Sequence, residues 1–163
     1  MGTAALLLGG NQGDRLAYIS KAKSFIKSHV GVILKESSLV ETAAWGITDQ
    51  PSFINQAILV ETDLEPNLLL LTLLNIEKLL GRIRTEKWGP RIIDIDILYY
   101  DQLIIDEIDL KIPHPFMQDR KFTLVPLNEI SPDWLHPIFH KSVNQLLEEC
   151  KDEGEVKVYM GSN

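Results

Sequence analysis

The order in which strand and helix signals follow one another over the first hundred residues leaves few folds open to this chain. Thr3–Leu8 is a short apolar run closed by Gly9-Gly10-Asn11-Gln12-Gly13, which predicts a strand and a turn. Asp14 then suits a helix N-cap, with Tyr18, Ile19, Ala22, Phe25, Ile26 and Val30 recurring at helical spacing and Gly31 as the stop. Val32–Glu41 and Phe53–Thr62 read as extended segments on either side of a loop at Trp45–Pro51. Pro66 introduces a long, mostly apolar helix over Asn67–Leu80 that ends at Gly81, and Ile92–Tyr100 is a further strand.

The sequence of elements is therefore β-α-β-β-α-β. It predicts an α+β, ferredoxin-like core in which two helices cover one face of an antiparallel sheet. Asp101-Gln102 reads as the turn of an added hairpin into Leu103–Ile105. Beyond Pro113-His114-Pro115 the pattern predicts short helical pieces, a helix over Ser142–Cys150 and a last strand near Val156–Met160. A length of 163 residues fits one domain spanning 1–163, large enough to bury its own core. The longest wholly apolar run, Ala4–Leu8, is far too short for a membrane span. Cys150 is the sole cysteine, so no internal disulfide forms and a reducing cytoplasm is the expected compartment, with the chain a monomer.

Sixteen basic residues against 23 acidic ones give a net charge of −7, which argues against a nucleic-acid partner. The average hides a local excess. Arg82, Arg84, Lys87 and Arg91 face only Glu86 across residues 82–91, a segment of +3 on a chain otherwise at −10. A compact basic patch on an acidic protein suits a small polyanion, although a solvated loop would look the same. The acidic run Glu148, Glu149, Asp152, Glu153, Glu155 reads only as a solvated surface.

Asp94-Ile95-Asp96 is the sharper signal. Side chains two apart in a strand share a face, so both carboxylates project side by side from a strand whose other face is apolar. Such neighbours repel unless cations lie between them, and Mg²⁺ suits one or two carboxylates completed by substrate phosphates. A solvated strand face remains the plain alternative. Gly9 to Asp14 is either a tight turn or a phosphate cradle, and matches neither the Walker A nor the Rossmann spacing. His114, between two prolines and just before Arg120 and Lys121, either serves structure or donates to a phosphate. Phe53 and Asn55 share a strand face; the carboxamide bonds either nearby backbone or a planar heterocycle, with Phe53 and Phe122 stacking on it.

Gly81-Arg82-Ile83-Arg84 followed by Lys87-Trp88-Gly89-Pro90-Arg91-Ile92-Ile93-Asp94-Ile95-Asp96-Ile97-Leu98 closely resembles the signature of the 6-hydroxymethyl-7,8-dihydropterin pyrophosphokinases. Leu8–Asp14, Asp49–Asn55 and Pro113–Phe122 extend the resemblance over nearly the whole chain. It implies transfer of diphosphate from ATP to the hydroxymethyl group of the reduced pterin, with release of AMP, as a step of folate biosynthesis. It further implies two Mg²⁺ ions on Asp94 and Asp96, with ATP as co-substrate. Arg82 and Arg91 would then act on developing charge. Glu77, Arg84, Trp88, Arg91, Ile97, His114 and Arg120 would meet the nucleotide. Thr42, Ala43, Trp45, Phe53, Asn55, Trp88, Asp94 and Phe122 would meet the pterin. The resemblance also shows departures: Leu74 and Phe116 stand where many members carry polar residues, and Ala43 where many carry proline. The rival from another class is a non-catalytic ferredoxin-like module that binds a small ligand.

Overall fold

A computed structural model describes residues 1–43, 51–81 and 92–160. Its strands are β1 (Gly2–Gly10), β2 (Gly31–Glu36), β3 (Val40–Thr42), β4 (Phe53–Thr62), β5 (Asp94–Tyr100), β6 (Ile105–Asp106), β7 (Lys111–Ile112) and β8 (Lys157–Val158). Its helices are α1 (Arg15–His29), α2 (Pro66–Leu79), α3 (Lys121–Ile130) and α4 (Val143–Glu149). The main sheet runs β5-β1-β4-β3-β8, with β2 on the same side of β4 as β3. All its described pairings are antiparallel, which is the expected βαββαβ core with a strand added at the β3 edge.

Helices cover both faces of this sheet. On one side α1 and α2 pack Ile19, Ala22, Ile26, Leu69, Leu73 and Ile76 against Leu6, Leu8, Ile58 and Ile95. On the other, α3 and α4 bring Leu124, Leu127, Ile130, Val143 and Leu146 onto Ala5, Leu7, Ala57 and Leu59. The two-helix layer expected from sequence is thus joined by a second layer built from the C-terminal extension. That double cover explains why β1 and β4 are buried almost without interruption rather than at alternate residues.

Several boundaries differ from expectation, each for a local reason. The single strand expected over Val32–Glu41 is two, because Ser37 breaks away to bond β4. Its N–H donates to Ala57 O at 2.9 Å while its Oγ accepts from Ala57 N at 2.9 Å. Gly31 is not a left-handed helix stop. It opens β2, where a Cβ would lie 1.9 Å from Glu61 O, so glycine is required by close approach. The added hairpin pairs β6 with β7, not β5 with β6, since Asp101 turns the chain out of the main sheet and Glu107 N donates to Leu110 O to close the later turn. Asp14 caps α1 through Ala17 N, and Ser142 heads α4 in a reciprocal capping box with Gln145.

Candidate active site

The register of the sheet assembles the site before any side chain is considered. Asp94 lies opposite Gly9 on β1, Gly9 opposite Asn55 on β4, and Asn55 opposite Val40 on β3. Paired residues share a face, so Asp94 and Asn55 project from the α3 side of the sheet with a glycine between them. One step to one side Asp96 pairs with Leu7, and one step to the other Thr42 pairs with Phe53, all on that same face. Both aspartates are half-buried at the end of β5. A bulge in β5, where Ala5 pairs with Tyr99 and Leu6 with Ile97, lets Leu98 and Tyr99 both face the α3 layer.

Gly9 is the floor of this row. A Cβ there would lie 1.9 Å from Asn55 Oδ1 and 3.1 Å from Ile54 O, so the Asn55 carboxamide rests directly over the glycine. Asn55 is 6% exposed, and among the described residues no group hydrogen-bonds its side chain. The reading in which it bonds neighbouring backbone is therefore set aside. The glycine-rich segment is likewise not a cradle as a whole: Gly9 and Gly10 belong to β1, while Asn11 Nδ2 donates to Pro51 O at 3.1 Å and ties the turn to the start of β4.

Above the face, the 112–122 segment brings three more expected residues together. His114 N donates to Leu98 O at 2.9 Å, which fixes the histidine beside β5. Burial, reinforced by the Arg120 guanidinium and opposed by Asp94, pushes the imidazole down to about 4. His114 is thus neutral at pH 7. Its Nδ1 accepts from Phe116 N at 3.2 Å, which places the ring proton on Nε2 as a donor. The Arg120 guanidinium lies 5.3 Å from the Phe116 ring centre and 5.6 Å from that of Phe122, held between the two rings. Phe116, 52% exposed, thereby steadies an arginine where a polar side chain was the common expectation. Phe122 in turn shares a cavity of about 390 Å³ with Thr42 and Ala43.

The side chains of two expected residues are buried off this face. The Ile97 side chain, 6% exposed, belongs to the α1/α2 core on the opposite face, because an odd step from Asp96 reverses direction. Glu77, expected to face the nucleotide, is 2% exposed on α2, and its Oε2 accepts from Ile95 N at 2.8 Å. It holds the backbone between the two aspartates from behind. Arg82, Arg84, Trp88 and Arg91, with Trp45, lie outside the described residues.

The donor set fits Mg²⁺. Two hard carboxylates share one strand face, and among the described residues no group of three or more acidic, His or Cys side chains forms a closed cage. Mg²⁺ takes such a pair with phosphate oxygens completing its shell.

Comparison with known proteins gives the family. The model of the 7,8-dihydro-6-hydroxymethylpterin-pyrophosphokinase family matches residues 5–132. The chain belongs to that family. A 2-amino-4-hydroxy-6-hydroxymethyldihydropteridine pyrophosphokinase of Aquifex aeolicus is 43% identical over 159 residues, covering 98% of this chain and 96% of the relative. A protein of the same name from Methylorubrum extorquens is 42% identical over 134 residues, 82% of this chain and 85% of that one. Among solved structures, Plasmodium falciparum HPPK-DHPS with pteroate superposes with a TM-score of 0.75 at 18% identity, over 91% of this chain. The chain spans 42% of that larger protein, and this likeness speaks for the fold. The chain is accordingly an ATP-dependent pyrophosphokinase of folate biosynthesis, and the non-catalytic binding module is set aside. Among the described residues no helix is long and apolar enough to cross a membrane.

Proposed function

We propose that the face bearing Asn55, Gly9, Asp94 and Asp96 joins two substrates side by side, 6-hydroxymethyl-7,8-dihydropterin over Asn55 and ATP over the aspartates. The observation that carries this reading is the transverse row Asp94–Gly9–Asn55. Strands two apart are separated by roughly 10 Å, the scale of a bicyclic ring with its one-carbon arm. A pterin bonded to Asn55 and stacked by Phe53 and Phe122 therefore extends its hydroxymethyl group over Gly9 toward the carboxylates.

Asp94 and Asp96 would hold two Mg²⁺ ions, which when bound supply charge neutralisation of the triphosphate and acidify the attacking alcohol. The remaining chemistry belongs to the chain. Neutral His114 donates through Nε2 to a phosphate oxygen without adding charge, while Arg120 supplies a fixed cation beside it. Arg82 and Arg91 act on charge that develops at the transferred group, and Arg84 and Trp88 meet the nucleotide. Trp45, Thr42 and Ala43 close the pterin side. The hydroxyl oxygen attacks the β-phosphorus of ATP, the bond to the α-phosphate oxygen breaks, and AMP leaves. The same reading makes the protein a cytoplasmic monomer of one domain that acts on small molecules and on neither nucleic acid nor membrane.

Product analysis tests it. With ATP, Mg²⁺ and 6-hydroxymethyl-7,8-dihydropterin, AMP and the pterin diphosphate should accumulate in equal amounts. Formation of ADP, or no pterin-dependent nucleotide product, would contradict the reading.

A further inference from the structure

The acidic C-terminal segment, which sequence alone reads as mere solvated surface, lines a cavity together with Thr42, Ala43 and Phe122, three of the residues proposed above for the pterin. β8 pairs with β3 through Val40–Val158 and Glu41–Lys157, and Tyr159 N donates to Leu39 O at 2.8 Å. The Arg15 guanidinium lies 5.9 Å from the Tyr159 ring centre and also bonds Ser52 O at 2.9 Å, so the strap is anchored to the start of β4 as well. Before reaching β8 the chain passes the start of α3. Arg120, at the N-cap, provides no side-chain cap; Asp152 does so from 31 residues away, its Oδ2 accepting from Lys121 N at 3.1 Å. Asp152 Oδ1 accepts from Gly154 N at 2.8 Å, which shapes the strap itself. Residues 152–156 then form one wall of the 390 Å³ cavity whose other wall is Thr42, Ala43 and Phe122.

We propose that Asp152 is a positioning residue for the pterin half of the site, setting the separation between the end of β3 and the start of α3. One carboxylate fixes the helix end that carries Arg120 and Phe122, while the strand beyond it fixes the end that carries Thr42. A carboxylate at a helix start is favoured by the unpaired N–H groups there, so the tie is a strong one. Asp152, Glu153 and Glu155 also give this wall a negative character that repels the triphosphate and leaves the cavity to the uncharged ring.

The inference rests on the pterin reading above, and the test separates the two. Binding of 6-hydroxymethylpterin and of Mg²⁺-ATP is measured separately by titration, alongside AMP release by the parent protein. Asp152→Ala should raise the pterin Kd about tenfold, the cost expected for one charge-assisted hydrogen bond, and leave the ATP Kd within twofold. Asp152→Asn should restore pterin binding, because its amide oxygen still accepts from Lys121 N. An unchanged pterin Kd in Asp152→Ala, a parallel loss of both ligands, or an Asn variant no better than Ala would overturn the role. Hydrogen exchange on the unsubstituted protein decides the matter even if Asp152→Ala does not fold. Pterin should slow amide exchange across 152–156 together with 121–124; protection of 121–124 alone would overturn it. No AMP from the parent would instead sink the underlying reading.

Discussion

Asp96 and Gly9 carry different parts of the residue-scale argument. Asp96→Ala removes one of the two carboxylates proposed to hold Mg²⁺, so turnover should fall by several orders of magnitude; near-normal turnover under saturating substrates would refute the role. Gly9→Ala acts without touching a charge. The atom its Cβ would meet first is the free end of the Asn55 side chain, 1.9 Å away, so the fold accommodates the methyl group by moving the carboxamide. The expected outcome is a pterin KM raised about tenfold or more with only a small drop in melting temperature, read by steady-state kinetics and a thermal scan. The aspartate pair was legible in the sequence because period-two alternation alone puts both on one face. Gly9 was not, because a glycine next to a turn reads as a turn, and only the β1–β4 register shows what it clears.

At the scale of elements, β5 is the edge strand that bears Asp94 and Asp96, and an edge strand needs its backbone held. Glu77 reaches from α2 to accept from Ile95 N at 2.8 Å, between the two aspartates. Glu77→Ala leaves that donor buried and unpaired, a loss of about 2 kcal/mol. For a chain of this size that corresponds to a melting temperature lower by about 4–8 °C, measurable by calorimetry. Turnover should fall as well, since the strand between Asp94 and Asp96 loses its backing. Helices α1, α2 and α4 and the strands β1, β4 and β5 were legible from capping residues, proline placement and apolar period. The division of β2 from β3 and the β6–β7 pairing were not, because Ser37 bonding across to β4 and Asp101 turning away from the sheet are tertiary effects. The Ile97 side chain packs in the opposite core, as strand alternation from Asp96 requires.

On the scale of the whole molecule, pH ties stability to the site. His114 titrates at about 4 in the folded chain against 6.5 when unfolded, so between these values the unfolded state binds more protons. Stability from this group is complete above about pH 6.5 and is lost as pH falls through about 4, roughly 3 kcal/mol in all. Burial lowers His136 as well, and its contribution has the same sign. Urea unfolding at pH 7 and pH 4.5 should show the drop, and His114→Gln should flatten part of it; an equal slope in the variant would assign the loss to other groups. The ferredoxin-like core and the family signature were readable from one end of the chain to the other. The last helix and strand were readable too, but not their placement, since nothing local in α3 and α4 states which face they cover or in β8 that it pairs with β3.

The central claim is that one sheet face holds two ligand sites divided by Gly9. Separate titrations of 6-hydroxymethylpterin and Mg²⁺-ATP against Asn55→Ala and Asp96→Asn test it most directly. Asn55→Ala should weaken pterin at least tenfold and leave Mg²⁺-ATP within twofold, and Asp96→Asn should do the reverse. Both variants losing the same ligand, or neither losing any, would contradict the account.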